Sequence, residues 1–165
     1  MSHRSVYRHF PSKASLRDAV TERWLARIAE PLEAIAEEDG PATDRLTRWL
    51  DALAAAKQGW AREEPELFAT YVGLTAESRE VVRAHVGHLT GQLARIIADG
   101  VARGEFDVAD PASAGRAVFS ATSRFHNPVH AAEWLDPTID AAYQGVRSLV
   151  LAGLAAHPAE RSTRS

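Results

Sequence analysis

The stretch that decides the fold is Ser2-His3-Arg4-Ser5-Val6-Tyr7-Arg8-His9-Phe10-Pro11-Ser12-Lys13-Ala14-Ser15-Leu16. An aromatic and basic segment ends at Phe10, and an amphipathic helix is expected to start at Lys13. Ser12 favours this start because a serine oxygen at an N-cap accepts a hydrogen bond from a free backbone N–H. On residue types alone, Tyr7 to Phe10 is typical of an aromatic cap on a hydrophobic core. The order of the residues through Leu16 is more informative about the fold and function than the residue types alone.

That order closely resembles the signature of TetR-family transcriptional regulators. In this family the recognition helix of a helix-turn-helix ends in Tyr-x-His-Phe, and Lys-x-x-Leu opens the next helix after a short turn. Tyr7, His9, Phe10, Lys13 and Leu16 match all of these positions. The resemblance implies an all-α regulator with a DNA-binding end and a helical domain that binds a ligand and forms a homodimer.

The resemblance also implies roles for individual residues on double-stranded operator DNA. The first turns of the recognition helix would enter the major groove, where Arg4 and Arg8 can bond guanine. Tyr7 and His9 match positions that hold phosphate oxygens, and Lys13 lies where an ammonium group and a helix N-terminus both favour phosphate. The expected DNA-binding residues are His3, Arg4, Ser5, Tyr7, Arg8, His9 and Lys13.

The sequence departs from the family pattern upstream of this run. A helix-turn-helix uses a first helix to support the second, and only Met1 precedes Ser2. Family precedent places about 30 to 40 further residues before this point. We therefore expect an N-terminally truncated chain, from a late start assignment or a real truncation, that binds DNA weakly or not at all. The alternative is a ligand-binding and dimerisation module that acts without DNA.

Composition and charge agree with a globular regulator. The 165 residues include no Cys, which excludes disulfides and thiolate metal sites and suits the cytoplasm. No apolar run is long enough to span a bilayer, so no membrane partner is expected. Residues 1–27 carry six basic and two acidic side chains, a net charge of +4, and the remainder carries −7. A basic end on an acidic body suits contact with a polyanion, although an ordinary solvated helix face explains the charge equally well.

Hydrophobic spacing of three and four residues predicts helices nearly throughout the chain. Pro31 is expected to kink or divide the first helix. Gly104 and Asp110 are expected to cap the helices on either side of them. The predicted helical segments are 13–38, 43–60, a short apolar segment 67–72, 78–103, 111–125 and 137–156. Applied to these segments, the resemblance implies a partial DNA-binding domain with its connecting helix at 1–38 and a ligand-binding and dimerisation domain at 39–157. The polar residues 158–165 are expected to form a disordered tail.

Small and apolar residues dominate the last two predicted helices. The resemblance implies that these helices form a four-helix bundle across a dimer axis, whereas small residues alone favour an intramolecular core. The candidate interface residues are Ala114, Ala117, Val118, Ala121, Ala142, Val146, Leu149 and Val150.

A pocket among the middle helices is the default ligand site in such a domain. A mixed aromatic and polar lining predicts a small hydrophobic or aromatic ligand, although each candidate is also a plausible core residue. The candidate ligand-binding residues are Trp60, Phe68, Tyr71, His85, Leu89, Phe119, Thr122, Phe125 and His126.

Metal binding and catalysis have weaker support. His126, His130 and Glu133 are spaced like metal ligands on a helix, and His85 with His88 could add a pair. Pro128 breaks the helix that this spacing assumes, so a turn with capping histidines is the favoured interpretation. The sequence contains no Gly-x-Ser-x-Gly, His-Glu-x-x-His or glycine-rich phosphate motif. No enzyme activity, metal or cofactor is expected.

Overall fold

The computed structural model describes residues 10–156, and most of them lie in helices. This confirms the predicted all-α fold. Among these residues the only extended pairing is an isolated bridge between Phe106 and Ala155. The helices are α1 Lys13–Glu37, α2 Ala42–Glu63, α3 Pro65–Glu77, α4 Arg79–Ala102, α5 Pro111–Ala121 and α6 Ile139–Leu154, with 3₁₀ helices at Ser123–Phe125 and Pro128–Leu135. The predicted tail at 158–165 and residues 1–9 lie outside the described residues.

Local chemistry explains the helix ends that the sequence predicts. Ser12 and Ser15 form a capping box at the start of α1, each side chain accepting from the other's backbone N–H at 3.1 Å. Asp110 caps α5 by accepting from the Ser113 N–H, also at 3.1 Å. Gly104 follows α4 with a φ of +73°, a conformation that L side chains rarely adopt. These capping predictions are confirmed.

One hydrophobic core joins α1 to the later helices. Leu25 and Leu32 of α1, Leu46 and Trp49 of α2, and Ile96 of α4 are all buried within it. The Trp49 indole donates a 2.8 Å hydrogen bond to Gln92 Oε1, so these two buried polar atoms in the core are paired with each other. The first described helix, α1, is therefore packed into the same core as the helices that follow it.

Three local expectations differ from the structure. Pro31 does not divide α1, because Ala29, Leu32 and Ala36 are buried on either side of it and keep the helix on the core. The apolar segment at 67–72 belongs to a longer helix, α3. The helix predicted at 111–125 ends at Ala121, and the chain continues as a 3₁₀ turn before the Asn127 side chain caps the next turn by accepting from Val129.

The small residues of α5 pack against α4. A Cβ atom added at Gly115 would lie 3.0 Å from the backbone oxygen of Thr90 and 3.0 Å from the backbone nitrogen of Ala94, so the two helix backbones approach closely there. Contacts between α5 and α6 are far fewer. The closest partner of α5 within one chain is therefore α4 rather than α6.

None of the helices in the described part of the chain is long and apolar enough to cross a membrane.

Candidate ligand-binding cavity

A cavity of about 340 Å³ lies between the first five helices and the segment that follows α5. Its volume falls within the range of about 300–1,000 Å³ that is typical of small-molecule sites. Most of its wall is aliphatic or aromatic, with a few polar side chains among them. The lining residues are Leu25, Leu53, Lys57, Tyr71, Val72, Thr75, Ala76, Val82, His85, Val86, Leu89, Phe119, His126, Asn127, Pro128 and Val129.

Lys57 is the principal polar group of the cavity, and only 4% of it is exposed. It lies one helical turn after Leu53 on the buried face of α2. Its Nζ donates a hydrogen bond to the Tyr71 hydroxyl and stands 4.4 Å from the centre of the Tyr71 ring. This is close enough for a cation–π interaction when the amine is protonated.

Burial changes the protonation of this pair. It lowers the pKa of Lys57 from its ordinary value of 10.5 to about 7, because the apolar surroundings disfavour the ammonium form. Burial also raises the pKa of Tyr71, so its phenol stays protonated. At neutral pH Lys57 is therefore divided between a charged and a neutral form.

Two histidines face the same cavity and are neutral at pH 7. Burial, with smaller contributions from the Lys57 charge, lowers the pKa of His85 and of His126 to about 4. The Nε2 of His126 lies 3.2 Å from the Phe119 carbonyl oxygen, and its ring packs 4.6 Å from the Phe119 ring centre. The bond to the carbonyl orients the imidazole and assigns its proton to Nε2.

The lining residues of the cavity include no aspartate or glutamate. Its ionisable groups are Lys57, Tyr71 and the two histidines. The cavity thus combines an apolar wall with basic nitrogen atoms and lacks a carboxylate that would pair with them.

The sequence-predicted ligand residues divide into three groups. Tyr71, His85, Leu89, Phe119 and His126 line the cavity, five of the nine. Phe68, Thr122 and Phe125 are buried in the surrounding core and do not line it.

Trp60, the ninth candidate, lines a separate groove of about 200 Å³ between α1 and α2. Its ring nevertheless lies 4.8 Å from the Tyr71 ring and 5.7 Å from the Phe68 ring. Trp60 and Phe68 therefore support the cavity wall from behind.

Lys57 is the functional candidate that sequence reasoning missed. The spacing of Leu46, Trp49, Leu50 and Leu53 predicts that Ala56 continues the buried face of α2, but Ala56 is exposed and Lys57 is buried. The four-residue step from Leu53 carried the necessary signal, which the usual exposure of lysine outweighed. Residues 127–129 were interpreted only as a turn, so their place in the cavity wall was missed too.

Lys13 and His130 lie away from the cavity, whereas His85 and His126, weighed as metal ligands, line it. Lys13 opens α1 and is exposed, whereas His3, Arg4, Ser5, Tyr7, Arg8 and His9 lie outside the described residues. His130 Nδ1 lies 2.6 Å from Glu133 Oε1, while His126 bonds to Phe119. Within residues 10–156 no three acidic or histidine side chains are grouped so that they could hold a metal ion.

The candidate dimer residues are partly accessible. Ala117, Ala121 and Leu149 are exposed, and Leu149 is 75% exposed. Ala114, Ala142, Val146 and Val150 are half-buried against the core. Val118 is buried within the single chain, because it packs on the core, and offers little surface to a partner.

Comparison with known proteins agrees with this arrangement. A search of curated proteins finds no match for the chain. The family described as the tetracyclin repressor-like C-terminal domain matches residues 42–147, which include α2 to α5 and most of α6. Because this match covers well over half of the 165 residues, the chain belongs to the TetR family of tetracyclin repressor-like proteins.

Proposed function

We propose that this chain is a small-molecule sensor that controls transcription, most simply as a repressor released from its operator by a ligand. The observation that carries the proposal is the apolar cavity of about 340 Å³ inside a tetracyclin repressor-like domain. Its few polar groups can orient a ligand while its apolar wall provides most of the binding energy. The role is binding rather than catalysis, and it would be exercised in the cytoplasm.

DNA recognition in this proposal belongs to residues 2–13. The basic charge at this end favours contact with phosphate, and the acidic remainder disfavours it. Lys13 supports the assignment because it lies exposed at the N-terminus of α1, where an ammonium group can reach a phosphate.

The structure offers a physical connection between the cavity and this end. Thr75 and Ala76 line the cavity and lead directly to Glu77 and Ser78. Arg17 Nη1 lies 3.0 Å from Glu77 Oε2. Ser78 Oγ donates to Asp18 at 2.7 Å. A ligand that moves the end of α3 would therefore also move the first turns of α1.

A homodimer would place two such sensors on one operator. Asp51 of α2 anchors α6, because it accepts from the Tyr143 hydroxyl at 2.6 Å and from Arg147 at 2.5 Å. Leu149 on the same helix is exposed, so a second copy could cover it. Leu149→Glu should convert a dimer into a monomer, as measured by light scattering, whereas Gln144→Glu on the same helix should not.

The sensing role is tested by a thermal-shift screen of small organic molecules on the purified chain. A ligand at 100 times its dissociation constant should add about 2.7 kcal/mol to the stability. Absence of a shift across a broad library would contradict the proposal.

The DNA-binding role is tested by selecting sequences from random duplex DNA, with and without a ligand from the screen. Enrichment of one sequence that the ligand abolishes supports the repressor. Ligand binding without any enriched sequence would instead identify the alternative, a ligand-binding and dimerisation module.

A further inference from the structure

We propose that the cavity takes an amphipathic organic acid, with its carboxylate bound to the Lys57 ammonium group and its hydrocarbon body against the aliphatic wall. This inference rests on the proposed sensing function and names the chemical class of its ligand.

The first argument is the unused hydrogen-bonding capacity of Lys57. An ammonium group has three N–H donors, and within the described residues Lys57 has one partner, the Tyr71 hydroxyl. The side chain is 4% exposed and lines the cavity, so its remaining donors are withdrawn from bulk water. A carboxylate in the cavity could accept from them.

The second argument is charge. A buried cation normally has an anionic partner, because transfer of an unpaired charge from water is costly. In the described part of the chain, every recorded carboxylate ion pair uses an arginine or a histidine, and none includes Lys57. The ligand would supply the anion that the protein does not.

The third argument is selectivity against other ligand classes. A cationic ligand would meet Lys57 and two imidazoles without a lining carboxylate to hold it. A neutral ligand would provide no anion for the ammonium form of Lys57. Leu25, Leu53, Val86 and Leu89 provide the apolar wall that a hydrocarbon chain requires.

Binding of an acid should be coupled to proton uptake. The titratable groups that face the cavity are Lys57 from α2, Tyr71 from α3, His85 from α4 and His126 from the segment after α5. The elements α1 and α5 contribute the apolar Leu25 and Phe119. Free Lys57 has a pKa of about 7, and a bound carboxylate raises it. Affinity should therefore be greatest below pH 7 and fall as the pH rises, by up to about tenfold per pH unit.

The test measures binding of octanoate, octanamide and octylamine to the purified full chain by calorimetry at pH 6.5. These probes share a hydrocarbon chain and differ in charge. We expect octanoate to bind at least about tenfold more tightly than octanamide, as a charge-assisted hydrogen bond predicts, and octylamine to bind least.

Matched variants assign the effect to Lys57. Lys57→Met should weaken octanoate binding to the level of octanamide while leaving octanamide binding nearly unchanged, which also shows that the cavity is intact. Lys57→Arg should retain a preference for octanoate and lose its pH dependence between pH 7 and 9, because guanidinium does not deprotonate there. Arg83→Met removes an exposed cation from α4. It should change neither the preference for octanoate over octanamide nor the pH dependence of octanoate binding.

Two results would overturn this inference. Equal affinity for octanoate and octanamide, or undiminished octanoate binding by Lys57→Met, would show that the cavity does not select an acid. If neutral compounds in the thermal-shift screen bind nonetheless, the sensing function stands and only the ligand class is wrong. If no compound of any charge binds, both proposals fail.

Discussion

Arg45 and Lys57 are both cations on α2, and both are about 95% buried, yet their surroundings differ. Arg45 forms an ion pair with Asp99 and donates to the backbone carbonyls of Glu38, at 2.9 Å, and Ala36, at 3.2 Å. Lys57 meets a phenol, apolar side chains and an open cavity. The difference indicates that a buried cation supports the fold where the chain supplies its partners and is available for a ligand where it does not.

The largest effect should come from removing the paired cation. Arg45→Met removes the donor to two backbone carbonyls and one of the two arginine partners of Asp99, which should lower the free energy of unfolding by about 3 kcal/mol. Urea denaturation at pH 7 measures this change. Asp44→Asn, one residue away and exposed, is the control. A loss of stability smaller than that of the control would show that Arg45, like Lys57, does not stabilise the fold.

Lys57 should show the opposite behaviour. Its pKa in the folded protein, about 7, lies below its ordinary value of 10.5, so the unfolded chain binds the proton more strongly. Stability should therefore rise between pH 7 and pH 9, by roughly 2 kcal/mol, because the folded state loses a proton over this range that the unfolded state keeps.

Lys57→Met checks this assignment by urea denaturation across the same pH range. The variant should be more stable than the wild type at pH 7, and its curve should lack the rise. An identical rise in the variant would mean that another group causes it.

The histidines of the cavity extend the comparison to acid pH. The pKa of His126 in the folded protein is about 4, below its ordinary value of 6.5. Its contribution to the free energy of unfolding is therefore present above pH 6.5 and is lost as the pH falls towards 4. Between pH 7 and pH 5 this loss should be somewhat under about 2 kcal/mol. His126→Gln should reduce the acid loss by that amount, whereas His130→Gln should leave most of it in place.

The smallest effect concerns an anion that the chain does pair. Glu105 accepts from the backbone N–H groups of Ala42 and Thr43, each at 2.9 Å, and so caps α2 from the loop after α4. Glu105→Gln should cost about 1 kcal/mol, in the range of helix-cap substitutions. Glu66→Gln, at an exposed position on α3, is the control in the same denaturation assay. An equal loss of stability in both variants would show that Glu105 does not stabilise α2 as a cap.

The same contrast explains what the sequence could predict. Caps at Ser12, Gly104 and Asp110 depend on neighbouring residues, so the helix ends near them could be predicted. The spacing of Leu46, Trp49 and Leu53 likewise predicted the buried face of α2. Local patterns of this kind need no knowledge of distant contacts.

The cavity depends on contacts that a local pattern does not contain. Lys57 is buried because Tyr71 and the segment after α5 close over it, and these residues are distant in the sequence. Trp60 and Phe125 were predicted to contact a ligand because aromatic residues often do, but packing places them behind or beside the wall. Burial alone could not distinguish a core residue from a lining residue.

The most direct test of an acid-binding cavity is the titration of Lys57 itself by NMR of the full chain labelled with ¹³C at lysine Cε. The sequence contains two lysines, Lys13 and Lys57, so Lys13→Arg assigns the signals. We expect the Lys57 signal to titrate with a pKa of about 7 in the free protein and at a higher pH with saturating octanoate. A Lys57 signal that titrates above pH 9 in the free protein, or whose midpoint octanoate leaves unchanged, would contradict the assignment of this cavity to an organic acid.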